Sequence, residues 1–169
     1  GSSWFVQSQD LDFNNVYDIE VSSNDQFTIV GAIESGGYAR SFDSDQSDKW
    51  TFSTSKSNKT RIKGVSSDSL GNFYLCGDLG AVDNWDGIAI THNIETDPFV
   101  GKMNSTGTWQ WVRPISTTAW SAADDICTDD DGNTYITGYV YGNAVVGNDT
   151  VGGQGWYDAF LAKIDKDGN

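Results

Sequence analysis

The sequence DDDGNTYITG at residues 129–138 has a second version, DSLGNFYLCG, at residues 68–77. A more divergent third version, SSNDQFTIVG, occupies residues 22–31. Internal repetition of this kind is typical of repeat architectures, in which one structural unit is used several times. Three tryptophans keep the same phase, each 14 residues before an equivalent position of the repeat: Trp4, Trp50 and Trp111. The chain is therefore expected to contain three copies of one unit.

Each unit is predicted to contain four short strands joined by tight turns. In the second unit the apolar and aromatic runs at residues 61–67, 73–76, 99–103 and 109–112 are typical of strands. The intervening segments are rich in Gly, Asp and Asn, which accept positive φ or hydrogen-bond their own backbone. Such a meander cannot bury both faces alone, but several of them stacked radially form a propeller. The predicted fold is all-β, a β-propeller of four-stranded antiparallel blades.

The predicted blades cover residues 16–54, 61–115 and 122–169 of a single propeller segment, residues 1–169. The second and third units are longer than the first by 15 residues, inserted between their second and third strands. The third unit lacks a fourth strand, and residues 4–8 are predicted to supply it and so protect an open edge.

Three blades are fewer than the 4 to 8 or so of known propellers. Two alternatives follow: a homodimer completes the ring, or the chain is a segment of a longer protein. Residues 1–3, Gly-Ser-Ser, look like a cloning remnant, which favours the segment.

The pattern D-I-x-x-D-x-x-G-N-x-Y-x-x-G, followed by D-x-F-x-x-K-x-D-x-x-G and a Trp, resembles the SBBP-type (seven-bladed) β-propeller repeats of bacterial and archaeal surface proteins. The resemblance covers nearly all of residues 60–169 and is weak over residues 1–59. It implies a secreted or cell-surface protein of unknown ligand and supplies no catalytic residues. In the third unit it is carried by Asp125, Ile126, Asp129, Gly132, Asn133, Tyr135, Gly138, Asp158, Phe160, Lys163, Asp165 and Gly168.

The chain is strongly acidic, with a formal net charge of −14. Such a field repels phosphate backbones, so nucleic acid is excluded as a partner. No stretch approaches the roughly 20 apolar residues of a membrane span, so no membrane insertion is expected. The charge is explained by solubility or a saline habitat, and attraction of cations or basic partners is the alternative.

Residues for catalysis or metal binding are scarce. His92 is the single histidine, and neither a G-x-S-x-G nor a CxxC motif is present, so we do not expect an enzyme. Residues 129–133 and 165–169 resemble the start of a calcium loop but lack its spacing and distal Glu. We expect hairpin turns there and no cofactor, with calcium as the alternative. Cys76 and Cys127 are predicted to be buried free thiols, with a disulfide between them left open.

Ligand contacts are expected on the face that carries the inserts, because loops on a rigid scaffold commonly bind partners. The predicted site residues are Trp85, Asp86, His92, Trp120, Trp156 and Tyr157. Aromatic rings there suit a glycan or protein ligand; the alternative is that Trp85 and Trp156 cap gaps between blades.

The predicted function is a non-catalytic extracellular or cell-surface interaction module, or a structural one, within a larger adhesin-like protein. A carbohydrate-binding (lectin-like) or carbohydrate-active propeller that uses the inserts is the alternative.

Overall fold

A computed structural model describes residues 13–54, 57, 59–91, 96–146, 149–152 and 156–169. These residues form sixteen strands, and their pairing is antiparallel throughout. The prediction of an all-β chain with antiparallel four-stranded sheets is thereby confirmed. The described part of the chain contains no helix that could cross a membrane.

The first two units are complete four-stranded meanders. Their strands follow in chain order within each sheet: β1 (Asn15–Val21), β2 (Phe27–Ile33), β3 (Gly36–Phe42) and β4 (Asp48–Ser53), then β5 (Arg61–Ser67), β6 (Phe73–Leu79), β9 (Asp97–Met103) and β10 (Trp109–Pro114). Between β6 and β9, the insert of the second unit forms a hairpin of β7 (Asp83–Trp85) and β8 (Ile88–Ile90).

The third unit has a three-stranded sheet of β12 (Ala122–Thr128), β13 (Thr134–Val140) and β16 (Asp158–Ile164). Its insert forms a separate small sheet in which β11 (Ser116–Thr117) pairs with β14 (Asn143–Val146), and β14 pairs with β15 (Asp149–Gly152). These small sheets were not predicted, because their short strands lack a clear alternation. The predicted strand at residues 4–8 lies outside the described residues.

The same turn recurs wherever the repeat predicts one. Gly71 and Gly132 occupy the left-handed region at φ 78° and 81°, and each donates its backbone N–H to the Asp three residues earlier. In the first unit Asp25 adopts the same conformation at φ 59° although it is not glycine. The turn geometry has therefore survived where the sequence diverged.

Adjacent units pack through equivalent residues. Val30 and Ala39 of the first unit share a buried cluster with Ile62 and Val65 on β5 of the second. The repeat-equivalent residues Cys76 and Val100 share a buried cluster with Ala123 and Ile126 on β12 of the third. The phased tryptophans repeat in the same way, because Trp50 lies over Gly107 of the second unit and Trp111 over Gly168 of the third.

The cysteines differ from each other in their environment. Cys76 is a buried free thiol, as predicted, whereas Cys127 is free but exposed. The prediction that Cys127 is buried is wrong, because its side chain lies on the face of β12 that no further unit covers among the described residues.

The non-glycine residue in a left-handed turn gives a stability prediction. Gln46 has φ 71° at the position that Gly107 and Gly168 occupy in the other units. Because a side chain costs about 1 kcal/mol in this conformation, we expect Gln46→Gly to raise the free energy of unfolding by about 0.5–1 kcal/mol. Urea denaturation measures the change.

Ser44 in the same turn is the control, since its φ is not positive. There, Ser44→Gly should lower the free energy of unfolding by up to about 1 kcal/mol, through the entropy of the unfolded chain. Destabilisation by both substitutions would contradict the assignment of strain to Gln46.

Candidate functional site

The long connections lie at one end of the strands. In an antiparallel meander, the second strand ends and the third begins at the same end of the sheet, and the connection from one unit to the next lies there too. The insert between β13 and β16 therefore meets the connection between β10 and β12. That meeting is direct, since β11 in the connection pairs with β14 in the insert.

An aromatic cleft lies where these two segments meet. Its walls are Trp120, Tyr141, Trp156 and Tyr157, with Ala119 between them, and its volume is about 320 Å³. The exposed fractions of Trp120, Trp156 and Tyr157 are 57%, 78% and 60%. Large aromatic side chains with so much exposed surface are unusual unless they serve an interaction.

The rings of the aromatic cleft support one another. The centroid of Tyr141 lies 6.1 Å from that of Trp156 and 5.6 Å from that of Tyr157. Tyr157 also meets Tyr139 edge to face, with centroids 5.3 Å apart. Edge-to-face and tilted pairs at these distances are attractive. The exposed faces are thus held in place by their neighbours.

A buried carboxylate anchors the loop that carries Trp120. Asp97, on β9 of the second unit, is fully buried, and its Oδ1 accepts hydrogen bonds from the backbone N and the Oγ1 of Thr117, at 3.1 and 2.8 Å. The Ala119 carbonyl oxygen lies 2.7 Å from the same hydroxyl oxygen, so it shares the single hydroxyl proton with Asp97 Oδ1. Ser121 Oγ joins the two segments by accepting from the Tyr141 N–H. The cleft is therefore built on the boundary between two units.

A charged network adjoins the aromatic cleft. Lys63 Nζ lies 2.9 Å from Asp124 Oδ1 and 3.2 Å from Asp78 Oδ2, and it sits 5.9 Å from the centroid of the Tyr139 ring. Arg61 Nη1 is 3.6 Å from the same Asp78 oxygen. Since Tyr139 also contacts Tyr157, the charged network and the aromatic cleft are continuous.

Burial dominates the titration of Asp78. Its side chain is 5% exposed, and its Oδ1 has no hydrogen-bond partner among the described residues. Burial raises the pKa of Asp78 to about 6, against the opposing attraction of Lys63 and Arg61. Burial works against the charge of Lys63 as well, but attraction to Asp78 and Asp124 outweighs it and raises the pKa of Lys63. At neutral pH Asp78 and Lys63 therefore form an ion pair.

The predicted site residues fall into two groups. Trp120, Trp156 and Tyr157 lie together in the aromatic cleft. Trp85 is 3% exposed and packs in the core against Phe99 and Trp109, and the Asp86 carboxylate accepts a hydrogen bond from the Trp109 N–H at 2.9 Å. Both side chains therefore make structural contacts and lie outside the candidate site. His92 lies outside the described residues.

The carboxylates of Asp129 and Asp165, in the two calcium-like segments, accept hydrogen bonds from the groups that follow them in the chain. Asp129 Oδ1 accepts from the backbone N–H groups of Asp131 and Asn133, and Oδ2 accepts from Asn133 Nδ2 and the Tyr135 hydroxyl. Hydrogen bonding, chiefly from the Asn133 side chain, lowers the pKa of Asp129. Asp165 bonds Asp167 and Asn169 in the same way. Within the described ranges, no three potential ligands (His, Cys, Asp or Glu) cluster in a way that could hold a metal.

Sequence reasoning missed the residues that complete the site. Tyr139 and Tyr141 flank the buried Val140 at the end of β13, and this alternation could have predicted that both rings lie on the same, partly exposed face. Asp78 and Lys63 stand on different strands of the second unit and give no local signal. Their pairing depends on the register of β5 and β6.

No protein-family model matches this chain, and no curated protein is significantly similar to it. A function for this chain therefore has to be inferred from the geometry of its site.

The raised pKa of Asp78 predicts a pH-dependent stability. Its ordinary value is 3.8, so between about pH 4 and 6 the folded state holds a proton that the unfolded state has lost. The stabilisation that the protonated Asp78 gives the folded state is at its maximum below pH 4. The free energy of unfolding then falls by roughly 3 kcal/mol as the pH rises through 6. We expect Asp78→Asn to remove that fall, which denaturation at pH 4 to 7 measures.

A second variant checks the cause. Lys63→Met removes the nearest cation, which should move the fall in stability to higher pH. The assignment fails if Asp78→Asn and the unsubstituted protein show the same pH dependence over this range.

Proposed function

We propose that this chain is a non-catalytic binding module of an extracellular β-propeller and that its aromatic cleft binds a neutral carbohydrate. The observation that supports the ligand is the set of exposed rings of Trp120, Trp156 and Tyr157 around one cleft. The propeller and the ligand are supported by different observations.

The propeller is supported by repetition of one interface. The first unit meets the second through Val30 and Ala39, and the second meets the third through their equivalents Cys76 and Val100. Equal interfaces imply nearly equal rotations between neighbours. Radial repetition of four-stranded sheets by one rotation is the architecture of a propeller. The resemblance of the repeat to surface-protein propellers favours an extracellular location.

Sugars suit the aromatic cleft because they have two kinds of surface. The C–H face of a pyranose packs on a flat aromatic ring, while its hydroxyls need hydrogen-bond partners at the rim. Polar partners lie next to the ring cluster: Lys63 contacts the Tyr139 ring, which packs on Tyr157, and the Asp124 carboxylate beside Lys63 is 48% exposed. A purely apolar ligand would leave these polar groups unused.

The charge of the chain selects among sugars. A net charge of −14 repels sulfated or carboxylated glycans at long range. A neutral or amino sugar experiences no such repulsion. We therefore expect neutral hexoses and their N-acetyl derivatives to be preferred.

Binding without turnover is favoured over a carbohydrate-active role. Glycoside hydrolysis needs two carboxyl groups that flank the bond to be broken. Near the cleft, Asp78 is buried in ion pairs with Lys63 and Arg61. The Asp86 carboxylate is used by the backbone of Trp109.

A glycan array followed by calorimetric titration tests the proposal. We expect binding of neutral glycans, with a loss of affinity of about fivefold or more in Trp156→Ala, since stacking on an aromatic ring is worth about 1 kcal/mol. Trp156→Phe retains a ring and should keep most of the affinity. The same titrations with Trp120→Ala check the opposite wall.

Leu70→Ala is the matched control. Leu70 is 82% exposed but lies at the opposite end of the strands of the second sheet, in the turn between β5 and β6. It should bind as the unsubstituted protein does. Equal affinity of Trp156→Ala and Leu70→Ala for a glycan found on the array would refute the assignment of the cleft, and an array without binders would refute the ligand class.

A further inference from the structure

We propose that a second copy of this chain docks end to end with the first, so that two three-unit arcs form one six-bladed ring. The inference depends on the propeller part of the proposed function but not on the carbohydrate. It follows from two exposed surfaces that the repeat places at opposite ends of the arc.

The first surface, the β1 face, lies on the first unit. Val16 and Ile19 are 53% and 56% exposed. Their repeat equivalents are Ile62 and Val65 in the second unit, which are 0% and 4% exposed, and the third-unit equivalents are buried too. In those units the preceding unit covers the inner strand. The β1 face is thus the receiving half of an interface that the chain forms twice internally.

The second surface, the β16 face, lies on the third unit. Leu161 is 75% exposed, whereas its equivalents Ala39 and Val100 are fully buried. Thr137, also exposed, is equivalent to Cys76. In the first two units these positions press on the inner strand of the following unit. The β16 face is thus the other half of the same interface.

What would cover each surface follows from this equivalence. The surface that fits the β16 face is an inner strand with apolar residues at the positions of Ile62 and Val65, and the β1 face of a second copy has Val16 and Ile19 there. A contact between different surfaces of identical chains is heterologous and closes only if the rotation completes a circle. Two copies give six units, within the range of about 4 to 8 known for propellers.

The edge of β16 adds a second contact. The equivalent strands β3 and β9 each pair with a fourth strand, β4 and β10. Beside β16 lies a groove of about 810 Å³ lined in part by Arg113, Ile115, Phe160 and Ile164. This groove fits a fourth strand equivalent to β4 and β10, whose tryptophans Trp50 and Trp111 have Trp4 as their equivalent in the sequence.

Light scattering on the intact chain tests the inference. Each chain carries the charge −14, so the measurement is made at about 0.15 M salt or above, where repulsion beyond roughly 8 Å is screened. The expected mass is twice 18.4 kDa. A monomer at all concentrations up to about 100 µM, or a series of open oligomers, would overturn the closed dimer.

Substitutions at the two faces identify the interface. Ile19→Asp and Leu161→Asp should each give monomers, since each places a charge in an apolar contact. Leu70→Asp is the control: Leu70 is more exposed than either residue, but its repeat equivalents are Asn24 and Asp131, so the variant should remain dimeric. Circular dichroism verifies that the monomeric variants are folded. Dimers that persist in both face variants would refute the interface.

A cross-link tests the register independently of stability. Across the first internal interface, Glu20 Oε1 accepts hydrogen bonds from the backbone N and the Oγ of Ser67, at 3.0 and 2.6 Å. Cys127 and Val21 are the equivalents of Glu20 and Ser67, so they face each other across the proposed contact. Val21→Cys should give a covalent dimer with a short bismaleimide, and Val21→Cys with Cys127→Ser should not.

The outcome separates this inference from the proposed ligand. A monomer that still binds glycan refutes the ring but leaves the cleft intact. A cross-linked dimer that binds no glycan supports the ring and refutes the ligand.

Discussion

The packing of each inner strand against the preceding unit is the interaction on which the rest of the structure depends. A four-stranded meander has two faces and cannot bury both by itself. Here Ile62 and Val65 complete the core of the first unit, and Ala123 and Ile126 complete that of the second. Burial of apolar surface stabilises by about 25 cal/mol per Å², so these contacts stabilise both partners of each interface. The stability of each unit then depends on its interface with the neighbouring unit.

Polar contacts fix the register of the same interface. Asp18 Oδ2 accepts from the Val65 N–H at 2.9 Å, which ties β1 to β5 at one point along their length. Trp50, on the outermost strand of the first unit, covers Gly107. A Cβ added to Gly107 would lie 2.5 Å from the indole Cγ of Trp50. A slip of one residue would break the hydrogen bond and bring a side chain under the indole. Apolar burial therefore supplies the energy, and these two contacts supply the alignment.

Much of the fold could be predicted from sequence because the repeat reports on local physics. The Asp-x-x-Gly-Asn turn needs a left-handed residue and a side-chain acceptor, and both are visible in the letters at Gly132 and Asp129. Packing of Trp85 between units was one of the alternatives that the sequence left open, but its partners could not be predicted, because they depend on a hairpin that folds back so that Trp85 packs against Phe52 of the first unit and Trp109 of the second. Likewise, exposed rings were expected at Trp120 and Trp156, but their meeting at Tyr141 depends on the pairing of β11 with β14. Local turns can be predicted from a single sequence, whereas contacts between distant inserts cannot.

The contacts that hold the aromatic cleft in place cross the interface between the second and third units. Asp97 belongs to the second unit, whereas the Thr117 loop that it holds leads into the third. Lys63 of the second unit likewise bonds Asp124 of the third. Separation of the two units would break both contacts and release the loop of Trp120. The cost of ordering the cleft is therefore met when the units pack, before any ligand arrives, and a preorganised site binds more tightly than one that must order on binding. The interface that stabilises the fold thereby also prepares the site.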